Sequence, residues 1–373
     1  MKLLKKAAAL LLCALCLAQC ALAASPAESA KELALSAAGG QKNLAGVSGD
    51  LLSLGEDFPA GTSVCDWTAM AFSLLGIDDT ASYLAAENEY ISQNFPVPES
   101  GREPLATEWQ RAALTVRALG GDPTACGTDG RIDLIAGGTY DYSGDTLGKQ
   151  GLNGWIFALI ALDCGAYEVP DGSRYTREDI LSAILSAQET DGGFGLVTGS
   201  SDTDITAMAL QSLAPYADGE AAEAVDRAVA YLASVLTDEA LFRYGDSPTA
   251  ESSAQVIIAL CALGIDPEED ARFAKNGVNI LDALVDTYRR PDGSYAHTPD
   301  DADGDFMATE QVMLAFTALW KLRSGAGRLY DFTAVPIAAE PETGTPVYFI
   351  IAAVLVCAAG LTVLAVMRKK REK

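Results

Sequence analysis

Two carboxylates one residue apart open the stretch Asp202-Thr203-Asp204-Ile205-Thr206-Ala207. A buried acid kept protonated by its surroundings can deliver a proton to a substrate, which makes Asp204 a candidate acid. The same residues suit a helix start, with Ser201 or Asp202 capping the first amides and Asp204 at the positive end of the dipole. Asp66 and Glu310 stand in comparable surroundings, and the three form the candidate catalytic set. Hydrolysis of a glycan would need two of them about 5 to 10 Å apart. Asp300, Asp301, Asp303 and Asp305 crowd one loop. Asp301, Asp303 and Asp305 are its Ca²⁺ candidates, but Gly304 and the missing terminal Glu depart from EF-hand spacing, so a solvated loop is expected. His297 is the single histidine, and no CxxC pair occurs among Cys65, Cys126, Cys164 and Cys261, so no zinc site is expected. No motif names a cofactor.

The elements that would position these residues are helical and repeated. A five-residue phrase, a small residue, an apolar one, two variable positions and Leu, recurs six times, starting at Ala71, Thr115, Ala158, Ala209, Ala259 and Ala315. Small residues at its start let neighbouring helices approach, and the Leu four places on shares that face. Gly follows in several copies, where a left-handed helix stop is expected. Five residues ahead of the phrase stand Asp66, Gln110, Asn153, Asp204, Ala254 and Glu310, all polar but one. More polar amphipathic helices are expected between, over 80–93, 173–188, 220–236 and 276–290. Loops rich in Gly, Pro and Asp connect them. Six apolar and amphipathic pairs suit a closed double ring or an open solenoid.

The clearest unit, Ile184 to Gly195 (ILSAQETDGGFG) followed by DTDITAMALQSL, resembles the repeats of the squalene cyclase and protein prenyltransferase superfamily. The resemblance implies an all-α fold, an α/α toroid of about six helical hairpins, over residues 48–324. Within that superfamily, Ala250 to Pro267 and His297 to Phe316 are similar to toroid domains of secreted bacterial proteins and to the helical domain of intrinsic factor and transcobalamin. That likeness implies a binding module and a corrinoid-like ligand. The β-domain that completes the animal carriers has no counterpart between Gly325 and Val347.

The enzymatic relatives set tests that the residues answer. The cyclase motif D-x-D-D-T-A places its proton donor at Asp204, but the neighbouring acid is Ile205 here. Zinc-dependent prenyl transfer would need ligands that Asp163, Cys164 and His297 do not supply at the family's spacing. The thioester of complement-type toroids needs Cys-Gly-Glu-Gln, and Cys126-Gly127-Thr128 and Cys164-Gly165-Ala166 both depart from it. Trp67, Trp109 and Trp155 fall near the starts of apolar helices, with Tyr295 and His297 in a loop expected at a rim. They either line one mouth and stack on a flat ligand, or pack between helices.

Both ends read as targeting segments. Residues 1–23 hold Lys2, Lys5 and Lys6, an apolar run and an A-x-A site, the pattern of a secretory signal peptide. Residues 24–47 form an N-terminal segment, and 325–340 a linker. Val347 to Met367 is 21 residues without a charge, long enough to cross about 30 Å of hydrocarbon, and basic residues 368–373 hold the tail in the cytoplasm. Residues 341–344, Pro-Glu-Thr-Gly, with the span and basic tail, resemble the sorting signal cut by sortases of Gram-positive bacteria, here between Thr343 and Gly344. The usual Leu before Pro is Glu340. The protein is thus expected at the cell surface, fixed to wall or plasma membrane. Without its two ends the chain carries 18 basic and 50 acidic residues, a net charge of −32. Such a surface repels phosphate backbones and excludes nucleic acid as a partner. Export permits disulfides among Cys65, Cys126, Cys164 and Cys261, with three pairings open, though Cys261 lies in an apolar run suited to a buried thiol.

The expectation is a surface toroid that captures a small, partly apolar or corrinoid-like ligand. An extracellular enzyme acting on glycan or lipid, and a protein-binding scaffold, are the alternatives.

Overall fold

In the computed structural model the described residues are 25–95 and 101–338. Twelve α-helices occur among them: α1 (Pro26–Leu44), α2 (Ser63–Leu75), α3 (Thr80–Asn94), α4 (Ala106–Ala118), α5 (Leu134–Gly138), α6 (Asn153–Asp163), α7 (Arg177–Ser186), α8 (Thr203–Leu213), α9 (Ala222–Val235), α10 (Ala250–Ala262), α11 (Ile280–Tyr288) and α12 (Phe306–Ser324). Two short antiparallel hairpins, Arg243–Tyr244 with Ser247–Pro248 and Ala274–Lys275 with Val278–Asn279, are the strand pairs. The signal peptide, the sorting motif with Thr343 and Gly344, the apolar segment 347–367 and the basic tail lie outside the described residues. Among the described residues no helix is long and apolar enough to cross a membrane.

The even-numbered helices form an inner ring. Each packs on the next, α2 on α4, then α6, α8, α10 and α12, and α12 returns to α2. That last contact makes the ring closed, not an open solenoid. The odd-numbered helices lie outside, α1 against α12 and α2, α3 against α2 and α4, and so around. Burial follows the residue pattern. Helix α10 buries every side chain from Ala250 to Cys261, Glu251 and Gln255 among them, as a helix enclosed on all sides must. Helix α9 buries only Val225, Ala228, Val229 and Leu232, the single stripe of an outer helix. The phrase residues Ala158, Ala209, Ala259 and Ala315 are fully buried, so inner helices meet over methyl groups.

Side-chain caps and glycines set the helix limits. Asp202 accepts from the Ile205 amide at 2.8 Å, Thr249 caps α10, Asn279 caps α11 and Asp305 caps α12. Gly76 and Gly325 take left-handed conformations that end α2 and α12. The DTDITA stretch therefore begins a helix, with Asp202 as its cap.

Three loops share one locking device. Phe194 accepts from the Asp202 amide at 2.9 Å and donates its own amide to Thr206 Oγ1 at 2.8 Å. Tyr295 does the same with Asp305 and Thr309, and Phe242 with Thr249 and Ser253. Each aromatic ring is fully buried between the outer and inner layers. The DGGF and DGSY loops thus fasten one hairpin to the next. Gly192 in the first of these turns sits at φ 94°, a conformation that glycine adopts without strain.

Two parts of the ring fall outside the expected boundaries. Helix α1, in the segment read as preceding the repeats, is the outer helix of the first hairpin. Its buried face is Ala30, Ala34, Ala37, Ala38, Gly40 and Gln41, all but the last small residues that carry no strong apolar period. A Cβ on Gly40 would stand 2.4 Å from the Gly293 backbone, which shows how closely α1 seats on the 289–296 loop. Residues 325–336, expected as a linker, cross the C-terminal end of the inner ring. The Phe332 amide donates to Cys164 O at 2.8 Å, Arg117 holds the carbonyls of Phe332 and Val335, and buried Lys321 holds those of Leu329 and Asp331. Leu329 and Phe332 are buried there.

Candidate functional site

At the N-terminal end of the inner helices lies a cavity of about 620 Å³. Its residues come from every inner helix and follow helical spacing. Counted back from each repeated phrase, the eighth residue contributes Ser63, Thr107 and Met307, and the fourth contributes Trp67, Arg111, Gln255 and Gln311. The residue just before the phrase contributes Phe157, Met208 and Leu314. These positions share one face of a helix, the one turned to the ring axis. Tyr330, on the segment that crosses the opposite end, also reaches the cavity.

One wall is apolar and aromatic. The Trp67 ring lies 6.0 Å from Phe157 and 6.2 Å from Tyr330 between centroids, tilted at 46° and 61°. Toward solvent the lining continues through Leu196, Val197 and Met307, which are 44%, 69% and 45% exposed. The remaining lining is polar. Gln211 donates to Gln255 Oε1 at 2.9 Å, and Gln255 donates to Gln311 Oε1 at 3.0 Å, a ladder across α8, α10 and α12. Arg111 and Lys149 contribute cationic groups.

The three candidate carboxylates sit in different surroundings. Asp66 is fully buried and accepts from the Gly61 amide at 2.9 Å, Tyr83 Oη at 2.8 Å and Arg111 Nε at 2.8 Å. Arg111 also donates to Gly61 O at 2.7 Å. Burial pushes the Asp66 carboxyl up against the pull of Arg111. Beside it Glu87, also fully buried, is pushed well up by burial and by the Asp66 charge, so Glu87 holds the proton of this pair. Asp204 lies outside the cavity lining. Burial raises its carboxyl to about 6, and its Oδ1 has no partner among the described residues. Glu310 alone of the three lines the cavity. It is 2% exposed, and burial next to Glu251 and Asp305 pushes its carboxyl well above the usual range. The pair of cavity carboxylates that glycan hydrolysis would require is not formed by Asp66, Asp204 and Glu310.

Of the five ring-bearing candidates, only Trp67 lines the cavity. Trp109 is buried against Phe95, with centroids 4.7 Å apart and the planes at 74°. Trp155 packs edge-on to Tyr175 at 5.2 Å. Tyr295 is the locking residue of its loop and packs on Phe316. His297 is half-exposed, and its Nδ1 lies 2.8 Å from Oε1 of buried Glu251, which raises its basicity. In the acidic loop Asp301 accepts from Thr298 at 2.8 Å and Asp305 caps α12. Among the described residues no group of three or more His, Cys, Asp or Glu is placed to hold a metal ion. Cys65, Cys126, Cys164 and Cys261 are free, buried thiols, and burial raises Cys65 to about 11 and Cys164 to about 12. None is poised as a nucleophile.

The closed ring of helical pairs can be set beside solved structures. The geranylgeranyltransferase-I of Candida albicans, in complex with GGPP, matches with a TM-score of 0.52 at 13% identity, over 71% of this chain and 85% of its own. The unsaturated glucuronyl hydrolase of Bacillus sp. GL1 matches with a TM-score of 0.51 at 14% identity, over 82% of this chain and 99% of its own. The fold is the α/α toroid. At these identities the likeness concerns the fold and leaves the chemistry to the site itself. No protein-family model matches the chain, and no curated protein matches it in sequence.

Proposed function

We propose that this chain is a capture module that holds a small, amphiphilic ligand in the cavity at the N-terminal end of its inner ring. The observation that carries this reading is the division of one cavity of about 620 Å³ into an aromatic wall and a polar wall. That volume lies in the range of small-molecule sites, which join apolar walls to a few placed polar groups. Trp67, Phe157 and Tyr330 offer ring faces and edges to a flat apolar body. Gln311, Asn153 and Glu310 stand ready for its polar groups. A corrinoid-like ligand would present a flat edge to this aromatic wall.

An extracellular enzyme acting on glycan or lipid is the second reading. It rests on Glu310, a buried carboxyl that keeps its proton and faces a ligand-sized space, the property of a general acid. We favour capture because the three candidate carboxylates do not pair in the cavity. The signal peptide, the Thr343–Gly344 sorting site and the apolar segment 347–367 support a place on the cell surface, with sortase as the processing partner.

The test is native mass spectrometry of residues 24–340 after exposure to lipid and corrinoid extracts. A stoichiometric adduct in the parent, absent when Met208→Trp fills the cavity, supports capture. Turnover of a glycan or lipid that Glu310→Gln abolishes would replace capture with catalysis.

A further inference from the structure

The reading of the cavity as a ligand site can be taken to the chemistry of its ligand. Glu310 is 2% exposed and reaches the cavity lining, yet no described residue donates a hydrogen bond to its carboxyl. Its carboxyl is therefore open to a partner from within the cavity. Asn153 Oδ1, also at the lining, is buried and accepts no hydrogen bond among the described residues. The charges nearest Glu310 are Glu251 from α10 and Asp305 at the start of α12, both acidic. Cys65 from α2 and Tyr330 from the crossing segment are its other titratable neighbours. The cations of the cavity do not neutralise it. Arg111 is committed to Asp66 and Gly61, Lys149 lies on the exposed loop before α6, and His297 is paired with Glu251.

We infer that the cavity selects ligands carrying a primary or secondary ammonium group, which donates to Glu310 while the adjoining apolar body rests on Trp67 and Tyr330. An ammonium supplies both the charge and the N–H donors that Glu310 lacks, and the ring faces nearby favour a cation. A carboxylate or phosphate in the same place would meet three acids. Binding carries a proton balance: the ammonium arrives charged, the Glu310 carboxyl gives up its proton to solvent, and one ion pair forms. Affinity for the ammonium therefore climbs with pH as Glu310 ionises, whereas affinity for a neutral analogue stays flat.

This inference rests on the capture reading, and one set of probes separates the two. The full chain is titrated with 2-phenylethylamine, 2-phenylethanol and 3-phenylpropanoate, followed by ligand-observed NMR between pH 6 and pH 9. The expected order is amine first, at least tenfold tighter than the alcohol, with the anion weakest. Glu310→Gln should bring the affinity for the amine down to that for the alcohol. Should that variant not fold, the order of the three ligands on the parent decides the matter without it. Equal affinity for amine and alcohol, or tighter binding of the anion, overturns the ammonium assignment and leaves the cavity as a ligand site. Binding of none of the three at millimolar concentration overturns both.

Discussion

Replacing Arg111 with Met tests the electrostatics beneath the cavity wall. Asp66 is fully buried and Arg111 is 17% exposed at its side chain, so solvent screens this pair little. The substitution removes the Nε bond to Asp66 and the Nη2 bond to Gly61 O, at 2.8 and 2.7 Å, and leaves a carboxylate in the interior beside Glu87. Breaking a buried pair from one side costs about 3–5 kcal/mol. The carboxyl has one escape, which is to take up a proton. Without Arg111, burial raises its folded pKa further above the unfolded value. A raised folded pKa gives stability that is present at low pH and lost as pH rises through that value. The deficit of R111M should therefore be largest near neutrality and shrink toward about 1 kcal/mol in acid, where only neutral hydrogen bonds are lost. Urea unfolding at pH 4.5 and pH 7.5 measures both. A loss under about 1 kcal/mol at pH 7.5, or a gap equal at the two pH values, would refute the buried pair as described.

Other predictions bear on separate parts of the molecule. Glu87→Gln should stabilise the protein increasingly as pH rises, because the amide donates to Asp66 without a titrating proton; urea midpoints across pH 5–8 follow this. Asp204→Asn should raise stability by about 1–2 kcal/mol at pH 8 and not at pH 4, since the folded carboxyl stands at about 6 and costs stability once ionised. Phe332→Ala, at a fully buried side chain in the segment that crosses the inner helical ring, should cost about 3–5 kcal/mol by chemical denaturation. Deletion of residues 25–47 strips α1 from α12, and the remaining chain should lose its cooperative thermal transition; a transition equal to the parent's would show that α1 is dispensable.

The ring architecture was legible because the inner helices are enclosed on nearly all sides and repeat the same small and apolar residues, so the phrase survives as a sequence pattern. All six copies lie at the C-terminal parts of the inner helices α2, α4, α6, α8, α10 and α12. Helix α1 was less legible because alanine and glycine, not large apolar residues, make its buried face. Helix α5 has only five residues and leaves no period to find. The cavity lining lies one position along the helix from the polar series that the sequence displays. Residues five before each phrase, Asp66, Gln110 and Glu310 among them, suggested acids or helix starts. The fourth position, with Trp67, Arg111, Gln255 and Gln311, has more lining residues. Only adjacency of the six helices tells which of these neighbouring positions faces the axis. Tyr330 had no such pattern, because it reaches the cavity from a segment outside the repeats. The loop around Tyr295 suggests a rim residue, whereas the shared bonding of Phe194 and Phe242 identifies it as a lock between layers.

The most direct test of the account is whether the cavity between Trp67 and Glu310 is where a ligand sits. Native mass spectrometry of residues 24–340, the parent beside Met208→Trp, after exposure to the same extract gives the answer. The account predicts a one-to-one adduct on the parent, a bare mass on the variant, and equal thermal midpoints for the two. An adduct of the same mass and occupancy on both proteins would contradict it and move the site away from the ring axis.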